Sequence, residues 1–234
     1  MGLFKASGVS DDCDKAARIL KGFVDKKKIP TEAVANAKGL AIFSGFRAGM
    51  YLAGAGGSGV VVARLPDGSW SPPSAFSVRS GGIGLVYGVD VYDCVCVLNT
   101  QAAVDAYTSS EMSLGGSLAL AAGPMTMNGS TASAKGEDVK PVWTYTKSRG
   151  LYGGLTVDGT VIKEKPDVNA DFYGAKVGPA QILRGEVQVQ AGPSKWPAGA
   201  LQLTEVLKMA EGKGADVSVI QEISSEPTPG DLRE

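Results

Sequence analysis

The N-terminal part of the chain alternates apolar and polar residues with the period of an α-helix. Between Ser10 and Asp25 the apolar residues recur at helical spacing, so they share one face of a helix. They are Cys13, Ala16, Ala17, Leu20, Phe23 and Val24, with Ile19 at the edge of the face. Ser10 suits the N-cap position, and Ile29 and Pro30 begin a second helix that Gly39 can end. The pattern therefore predicts two N-terminal helices, the first of them amphipathic.

The remainder of the chain mostly shows the alternating or continuously apolar pattern of β-strands. Val60, Val61 and Val62 favour a buried strand, and the turn at 66–68 (Pro-Asp-Gly) reverses the chain. The other predicted elements are strands at 84–99, 113–122 and 142–147, a hairpin at 155–163 around Asp158-Gly159, and helices at 101–107 and 199–210, the last with Leu201, Val206 and Met209 docked inward. We expect antiparallel pairing to dominate.

Glycines are concentrated just before the valine strand. Gly54, Gly56 and Gly59 match the G-x-G-x-x-G pattern of dinucleotide-binding loops, but that pattern binds a pyrophosphate only where it follows a strand and opens a helix. Here it opens a strand. We therefore interpret these glycines, with Gly57 and Gly68, as residues that allow close backbone approach, bulges or tight turns.

The residue types that most enzymes use in catalysis are scarce in this chain. Histidine is absent, and no phosphate-binding loop, nucleophile elbow or C-x-x-C motif occurs. Cys13, Cys94 and Cys96 lack a metal-ligand pattern and are expected to be reduced, packed thiols. The sequence predicts a protein that is not an enzyme and has no cofactor or small-molecule substrate. With a pI near 5.7 and a net charge of −1, it is not expected to bind nucleic acid.

Acidic residues leave one alternative open. Asp167, Asn169 and Asp171 alternate like part of a calcium-binding loop, although the sixth position of the pattern lacks glycine. Both a solvated turn and a calcium site are compatible with this spacing. A calcium-dependent membrane binder is therefore one alternative function.

Basic residues are clustered on and just after the first predicted helix. The first 28 residues carry seven basic and four acidic side chains, whereas the whole chain has a net charge of −1. The candidate lipid-binding residues are Lys15, Arg18, Lys21, Lys26, Lys27 and Lys28, together with Leu20 and Phe23 on the apolar face. Two interpretations are open: the helix packs on the core and its basic face is solvated, or its basic residues bind anionic lipids while its apolar face inserts.

Several motifs together resemble one known family. In the first half they are I-P-x-E at 29–32, A-K-G-x-A-I-F at 37–43, G-S-G-V-V-V-A-R-L-P-D-G-S-W-S at 57–71 and P-S-A at 73–75. In the second half they are L-G-G-S at 114–117, A-A-G-P at 121–124, Y-T-K-S-R-G-L at 145–151 and F-Y-G at 172–174. In this order the chain resembles the SYLF domain family, a lipid-binding module that accompanies Src-homology-3 or FYVE domains in actin-patch and endocytic proteins. The segment at 50–56 departs from the family pattern, which there contains phenylalanines and an arginine.

The resemblance implies a fold and a domain division. The fold is α+β, a curved antiparallel β-barrel or sandwich flanked by the N-terminal amphipathic helices, with room for a BON-like α/β subdomain. We expect a flexible N-terminus at 1–9, a SYLF domain at 10–212 that begins with the amphipathic basic helix segment at 10–28, and an acidic, disordered tail at 213–234.

The resemblance also implies a function. It is the non-enzymatic binding of phosphoinositide-containing, anionic membranes, linked to endocytosis and the cortical actin cytoskeleton. The alternative is a protein whose main activity is to bind or bundle F-actin. We expect a cytoplasmic protein that associates peripherally with plasma or endosomal membranes and with cortical actin patches. No Src-homology-3 or FYVE module is recognised in the 234 residues, so we do not expect recruitment of proline-rich partners.

Overall fold

Helices and long antiparallel strands build an α+β fold, as the resemblance implies. The computed structural model describes residues 8–108, 111–114, 141–149, 151–187 and 198–231. The helices are α1 (Val9–Asp25), α2 (Thr31–Ala35), α3 (Gln101–Asp105), α4 (Pro166–Tyr173), α5 (Pro179–Leu183), α6 (Leu201–Ala210) and α7 (Val217–Gln221), with a 3-10 turn at Ala198–Ala200. The strands are β1 (Gly39–Ala63), β2 (Ser74–Leu98), β3 (Glu111–Leu114), β4 (Val142–Ser148) and β5 (Leu151–Glu164).

A long hairpin of β1 and β2 organises the sheet. The two strands pair from one end to the other, and the predicted turn joins them: Gly68 has a φ of +79°, and its N–H donates to the Leu65 carbonyl oxygen at 2.9 Å. β5 pairs with residues 76–89 of β2, and β4 pairs with residues 92–98. β3 in turn pairs with β5.

β1 folds back on itself near its midpoint. Its register with β2 shifts between Met50 and Leu52, which marks an irregularity at the bend. The residues that flank the strand come together, because the Arg64 N–H donates to the Lys38 carbonyl oxygen at 2.8 Å. The two halves of β1 therefore lie side by side.

Glycines permit this close approach of the two halves. A Cβ on Gly57 would lie 2.6 Å from the Ser44 carbonyl oxygen, and a Cβ on Gly59 would overlap the Ile42 carbonyl oxygen. The predicted geometric role of both glycines is therefore confirmed. The G-x-G-x-x-G residues at 54–59 all lie inside β1 and open no helix, so they do not form a dinucleotide-binding loop.

The sheet is bent but open, so the expected barrel or sandwich is wrong. Among the described strands the order is β1–β2–β5–β3, with β4 beside β2, and no pairing joins β3 to β1. The physical reason is that the bend brings the two halves of β1 against each other instead of bringing the ends of the sheet together. The BON-like subdomain stays a prediction.

Each face of the sheet carries its own apolar core. One face packs against α1 and α6 and contributes Leu40, Ile42, Val60, Val62, Val95 and Val97. On the other face the rings of Phe43, Phe76 and Tyr92 meet edge to face. Val104 of α3 and Tyr107, just after it, pack against this second face. The apolar face of α1 therefore packs against the sheet and α6.

Two predicted details of the second half differ from the structure. Asp158 and Gly159 do not form a turn; they lie inside β5 opposite Gly82 and Gly81, because the long strand β2 continues to pair past this point. In α6, Leu201 is 44% exposed, whereas Val206 is buried as predicted. The strand predicted at 113–122 falls mostly outside the described residues.

The described residues of the C-terminal segment, up to 231, differ from the disordered tail that its composition indicates. α7 begins at the N-cap Asp216, whose side chain accepts from the Ser218 N–H at 3.0 Å. Further on, Ile223 and Thr228 are buried against the rest of the domain. Capping and a few buried contacts order this segment, and neither is visible in its overall acidity.

Candidate membrane-binding surface

The apolar face of α1 lies in the core. Leu20 is 0% exposed and Phe23 is 2% exposed, and both belong to the cluster between α1, α6 and the sheet. The ammonium of Lys147 on β4 lies 5.9 Å from the centroid of the Phe23 ring. In this arrangement neither predicted lipid contact is available to a bilayer, because the helix would first have to leave the sheet. Their position is that of core residues.

Three of the predicted basic residues are paired within the domain. Lys15 lies 2.9 Å from the buried carboxylate of Asp12, and Lys21 lies 2.6 Å from Asp25. Arg18 donates to the Glu226 carbonyl oxygen at 3.4 Å. Arg18 also lines a cleft whose other charged residues are acidic: Asp14, Glu222 and Glu226. These three side chains are half-buried, and acidic groups neutralise their charge.

The other three predicted basic residues form an exposed patch, Lys26–Lys28, at the end of α1. The Lys27 N–H donates to the Val24 carbonyl oxygen and the Lys28 N–H to the Phe23 carbonyl oxygen, each at 2.9 Å. This double hydrogen bond is the Schellman arrangement, which glycine usually completes in the left-handed conformation. Here Lys27 takes that place with a φ of +50°, the one non-glycine residue with a positive φ in the described chain. A lysine is thus held in a backbone conformation that costs about 1 kcal/mol or more.

A charge network beside this patch has no counterpart in the sequence prediction. The Lys147 ammonium lies 2.8 Å from the Asp231 carboxylate and 3.5 Å from the buried carboxylate of Asp93. Lys147 also donates to the Thr228 hydroxyl at 2.9 Å, and Lys26 lies 4.0 Å from Asp231. Partial burial acts to raise the pKa of Asp231, but hydrogen bonds from Lys147 and Thr228 outweigh it and lower the pKa to about 2. The sequence signal is the turn composition Thr-Pro-Gly-Asp at 228–231, which does not reveal its partners.

The most recognisable motif of the chain, at 57–71, has a structural role around Arg64. The guanidinium of Arg64 stacks 3.7 Å from the centroid of the Trp70 ring and lies 2.6 Å from the carboxylate of Glu211. It also donates to the carbonyl oxygens of Val34 in α2 at 3.0 Å and of Gly68 in the turn at 3.1 Å. One side chain therefore ties together α2, the β1–β2 turn and the end of α6.

The residues of the calcium alternative do not lie on a loop. Asp167, Asn169 and Asp171 are part of α4, and Asn169 is buried with its side-chain oxygen accepting from the Ala75 N–H at 2.9 Å. Within the described part of the chain, no three or more His, Cys, Asp or Glu side chains are grouped as a metal site would require. Both alternatives for this segment, a solvated turn and a calcium-binding loop, are therefore wrong in their local structure.

The cysteines are packed thiols, as predicted. All three are free and buried, and the sulfur atoms of Cys94 and Cys96 lie 3.6 Å apart on one face of β2. Burial, with smaller contributions from the neighbouring carboxylates of Asp12 and Asp14, raises the pKa of the Cys13 thiol. Such a thiol is a poor nucleophile.

In the regions that the structure describes, none of the helices combines the length and apolarity of a membrane span.

Comparisons with known proteins agree with the resemblance in the sequence. A family model described as Ysc84, Las17-binding protein actin regulator, matches residues 79–210. The human SH3 domain-containing YSC84-like protein 1 is 38% identical over 211 residues, which are 86% of this chain and 59% of that protein. LAS seventeen-binding protein 3 of Saccharomyces cerevisiae is 38% identical over 189 residues, 77% of this chain and 41% of that protein.

A third relative, SH3 domain-containing protein PJ696.02 of Schizosaccharomyces pombe, is 33% identical over 237 residues, 97% of this chain and 54% of that protein. The chain thus spans about half the length of the curated relatives it matches. No solved structure matches it. The SYLF resemblance is confirmed by the matched model and by relatives along most of the sequence: the chain belongs to the Ysc84 family.

Proposed function

We propose that this chain binds anionic, phosphoinositide-containing membranes with the patch Lys26–Lys28 as its contact. The observation that carries the proposal is the geometry of the patch: three consecutive exposed lysines end a helix, and the middle one is held at a φ of +50°. Glycine would complete the same turn without strain. Because strained backbone is often found at functional sites, the lysine at this position supports a functional role for its charge. Lys15, Arg18 and Lys21 are paired with acidic groups of the domain and are not part of the proposed contact.

The expected strength of this contact follows from its charge. Each lysine near an anionic surface contributes about 1 kcal/mol, so three lysines contribute about 3 kcal/mol, or on the order of a hundredfold in affinity. Asp25 beside the patch and Asp231 near Lys26 reduce that attraction. Such binding is reversible and weakens with salt.

We place this membrane contact in endocytosis, at the cortical actin cytoskeleton. The support is the family description, which names its members as Las17-binding actin regulators. The alternative is a protein that mainly binds or bundles actin filaments, and the same description favours it. No catalytic role is proposed, since the family is described as a regulator.

A side-by-side sedimentation assay separates the two functions. We expect the protein to sediment with vesicles of phosphatidylcholine that contain phosphatidylinositol bisphosphate, more than with phosphatidylcholine alone. Replacing Lys26, Lys27 and Lys28 with glutamine should weaken vesicle binding on the order of a hundredfold at low salt. Sedimentation with actin filaments, measured in parallel, should change less.

The matched control removes the same charge elsewhere. Lys38, Lys163 and Lys176 are exposed and lie on other parts of the domain. Their combined replacement with glutamine should leave most of the vesicle binding intact. Equal binding by the Lys26–Lys28 variant and the wild type, with both folded, would contradict the proposed contact; strong actin binding without vesicle binding would favour the alternative.

Replacing Lys27 alone with glycine should change stability and binding in opposite directions. Glycine adopts a positive φ without steric cost, so the free energy of unfolding should rise by about 1 kcal/mol. That gain corresponds to roughly 2 to 4 °C in melting temperature for a domain of this size. Vesicle affinity should fall about fivefold, because one of the three charges is lost.

Lys27→Gln is the control for this prediction. It removes the same charge but keeps a side chain at the left-handed position, so it should reduce vesicle binding without the gain in stability. A glycine variant that is more stable and binds as well as the wild type would show that Lys27 does not contact the membrane.

A further inference from the structure

The segment Thr228–Asp231, which we call the C-terminal latch, is docked beside the lysine patch. Thr228 is 4% exposed, and its hydroxyl donates to the carboxylate of Asp93 in β2. The Thr228 N–H donates to Asp231 Oδ2 at 2.8 Å, which closes the latch into a compact turn. The latch therefore sits on the junction between β2 and β4 and contacts both strands.

The close fit of the latch depends on Gly230. A Cβ on this residue would overlap the Lys147 carbonyl oxygen and would lie 2.6 Å from the backbone nitrogen of Asp93. Both obstacles are backbone atoms within the sheet, which cannot move aside as a flexible side chain can. Only glycine is compatible with the docked position.

The docked latch places a negative charge at the edge of the lysine patch. The Asp231 carboxylate lies 2.8 Å from the ammonium of Lys147 and 4.0 Å from that of Lys26, the first residue of the patch. Lys26 itself is 59% exposed and has solvent on its other side. An anionic headgroup that approaches Lys26 therefore meets the carboxylate of Asp231 at the same ammonium.

We propose that the C-terminal latch is an autoinhibitory counter-ion, whose release from the β2–β4 junction strengthens binding of the patch to anionic membranes. The inference rests on the proposed membrane function. Release removes one negative charge from the surface and leaves Lys26 without its internal partner. Lys147 keeps the buried Asp93 carboxylate at 3.5 Å, so it contributes less to the gain than Lys26 does. The net change is about one unit of charge at the membrane contact, which corresponds to an approximately fivefold gain in affinity.

Two variants release or discharge the latch in different ways. Gly230→Ala prevents docking by steric overlap and leaves every charge in place. Asp231→Asn removes the charge and keeps a side chain of the same shape. Gly214→Ala is the matched control, because a Cβ at this exposed glycine would meet nothing within 4 Å. All three are compared with the wild type on phosphatidylcholine vesicles with and without phosphatidylinositol bisphosphate.

Hydrogen–deuterium exchange of the peptide around Thr228 reports on docking independently of lipid. We expect this peptide to be protected in the wild type and in Gly214→Ala, and to exchange faster in Gly230→Ala. Gly230→Ala and Asp231→Asn should bind the anionic vesicles about fivefold more tightly than the wild type, and Gly214→Ala should match the wild type.

The outcomes separate the latch from the proposed function. Faster exchange in Gly230→Ala with unchanged or weaker vesicle binding would overturn the latch, and so would an unprotected peptide in the wild type. If the Lys26–Lys28 glutamine variant loses binding while Gly230→Ala has no effect, the proposed function stands and only the latch fails. If the glutamine variant binds as the wild type does, the proposed function fails. The inhibitory role of the latch then fails as well, because the patch would not be the membrane contact.

Discussion

Replacing Leu20 with aspartate is expected to unfold the domain or to lower its free energy of unfolding by about 4 kcal/mol or more. Leu20 is 0% exposed between α1, α6 and the sheet, so a carboxylate there would lose its hydration without gaining a partner. The melting temperature should fall by roughly 10 °C or more. Phe23→Asp should behave in the same way, because its ring lies in the same cluster.

The same substitution at an exposed leucine provides the control. Leu201 is 44% exposed and is the first residue of α6, where an acidic side chain is favoured by the helix dipole. Leu201→Asp should therefore change the free energy of unfolding by less than about 0.5 kcal/mol. If Leu20→Asp melts as the wild type does and only vesicle binding falls, then α1 is detached from the core in solution and inserts its apolar face into the bilayer.

Gly59→Ala is expected to cost about 3 kcal/mol of stability, a large effect for the addition of one methyl group. The added Cβ would overlap the Ile42 carbonyl oxygen and lie 2.6 Å from the Phe43 Cα, and both belong to the other half of the folded-back strand β1. Relief would require the two halves of β1 to move apart along the sheet. Thermal or urea unfolding measures the loss directly.

Gly54 lies in the same strand and supplies the comparison. A Cβ at Gly54 would meet nothing within 4 Å, so Gly54→Ala should change the stability by less than about 1 kcal/mol. Equal stability of the two variants would show that the halves of β1 do not lie against each other. Because both glycines lie inside β1 and open no helix, we expect neither variant to bind nucleotides.

The N-terminal helices and the first turn could be predicted because their signals are local. The helical period of the apolar residues in α1 and the Pro-Asp-Gly turn each fit within a short segment, and the structure confirms both. The predicted helix ends were wrong: Gly8, not Ser10, is the N-cap of α1, and α2 ends at Ala35, before Gly39. The exposed Lys26–Lys28 patch could also be predicted, because three consecutive lysines are rarely buried. Which basic residues are half-buried and paired could not be predicted, because the partners of Lys15 and Arg18 depend on helix register and on a distant C-terminal segment.

The larger features depend on contacts between distant segments. Asp158-Gly159 has the composition of a hairpin turn, but pairing with β2 keeps it inside a continuous strand. The bend of β1 needs its two halves to meet, and glycine spacing alone does not reveal which glycines face backbone. The latch also depends on distant contacts. Thr228 binds Asp93 and Asp231 binds Lys147, and both partners lie far away in the sequence.

The pairing of β1 with β2 also decides how much of the chain forms one folding unit. The family model matches residues 79–210 and so begins inside β2. A fragment cut to that match would lack α1 and β1, and would leave Val95 and Val97 of β2 without the helix that covers them. Such a fragment would expose an apolar sheet face and an unpaired strand edge, the surfaces through which chains aggregate. The folding unit is thus larger than the segment that the family model matches, because it also needs residues 9–78.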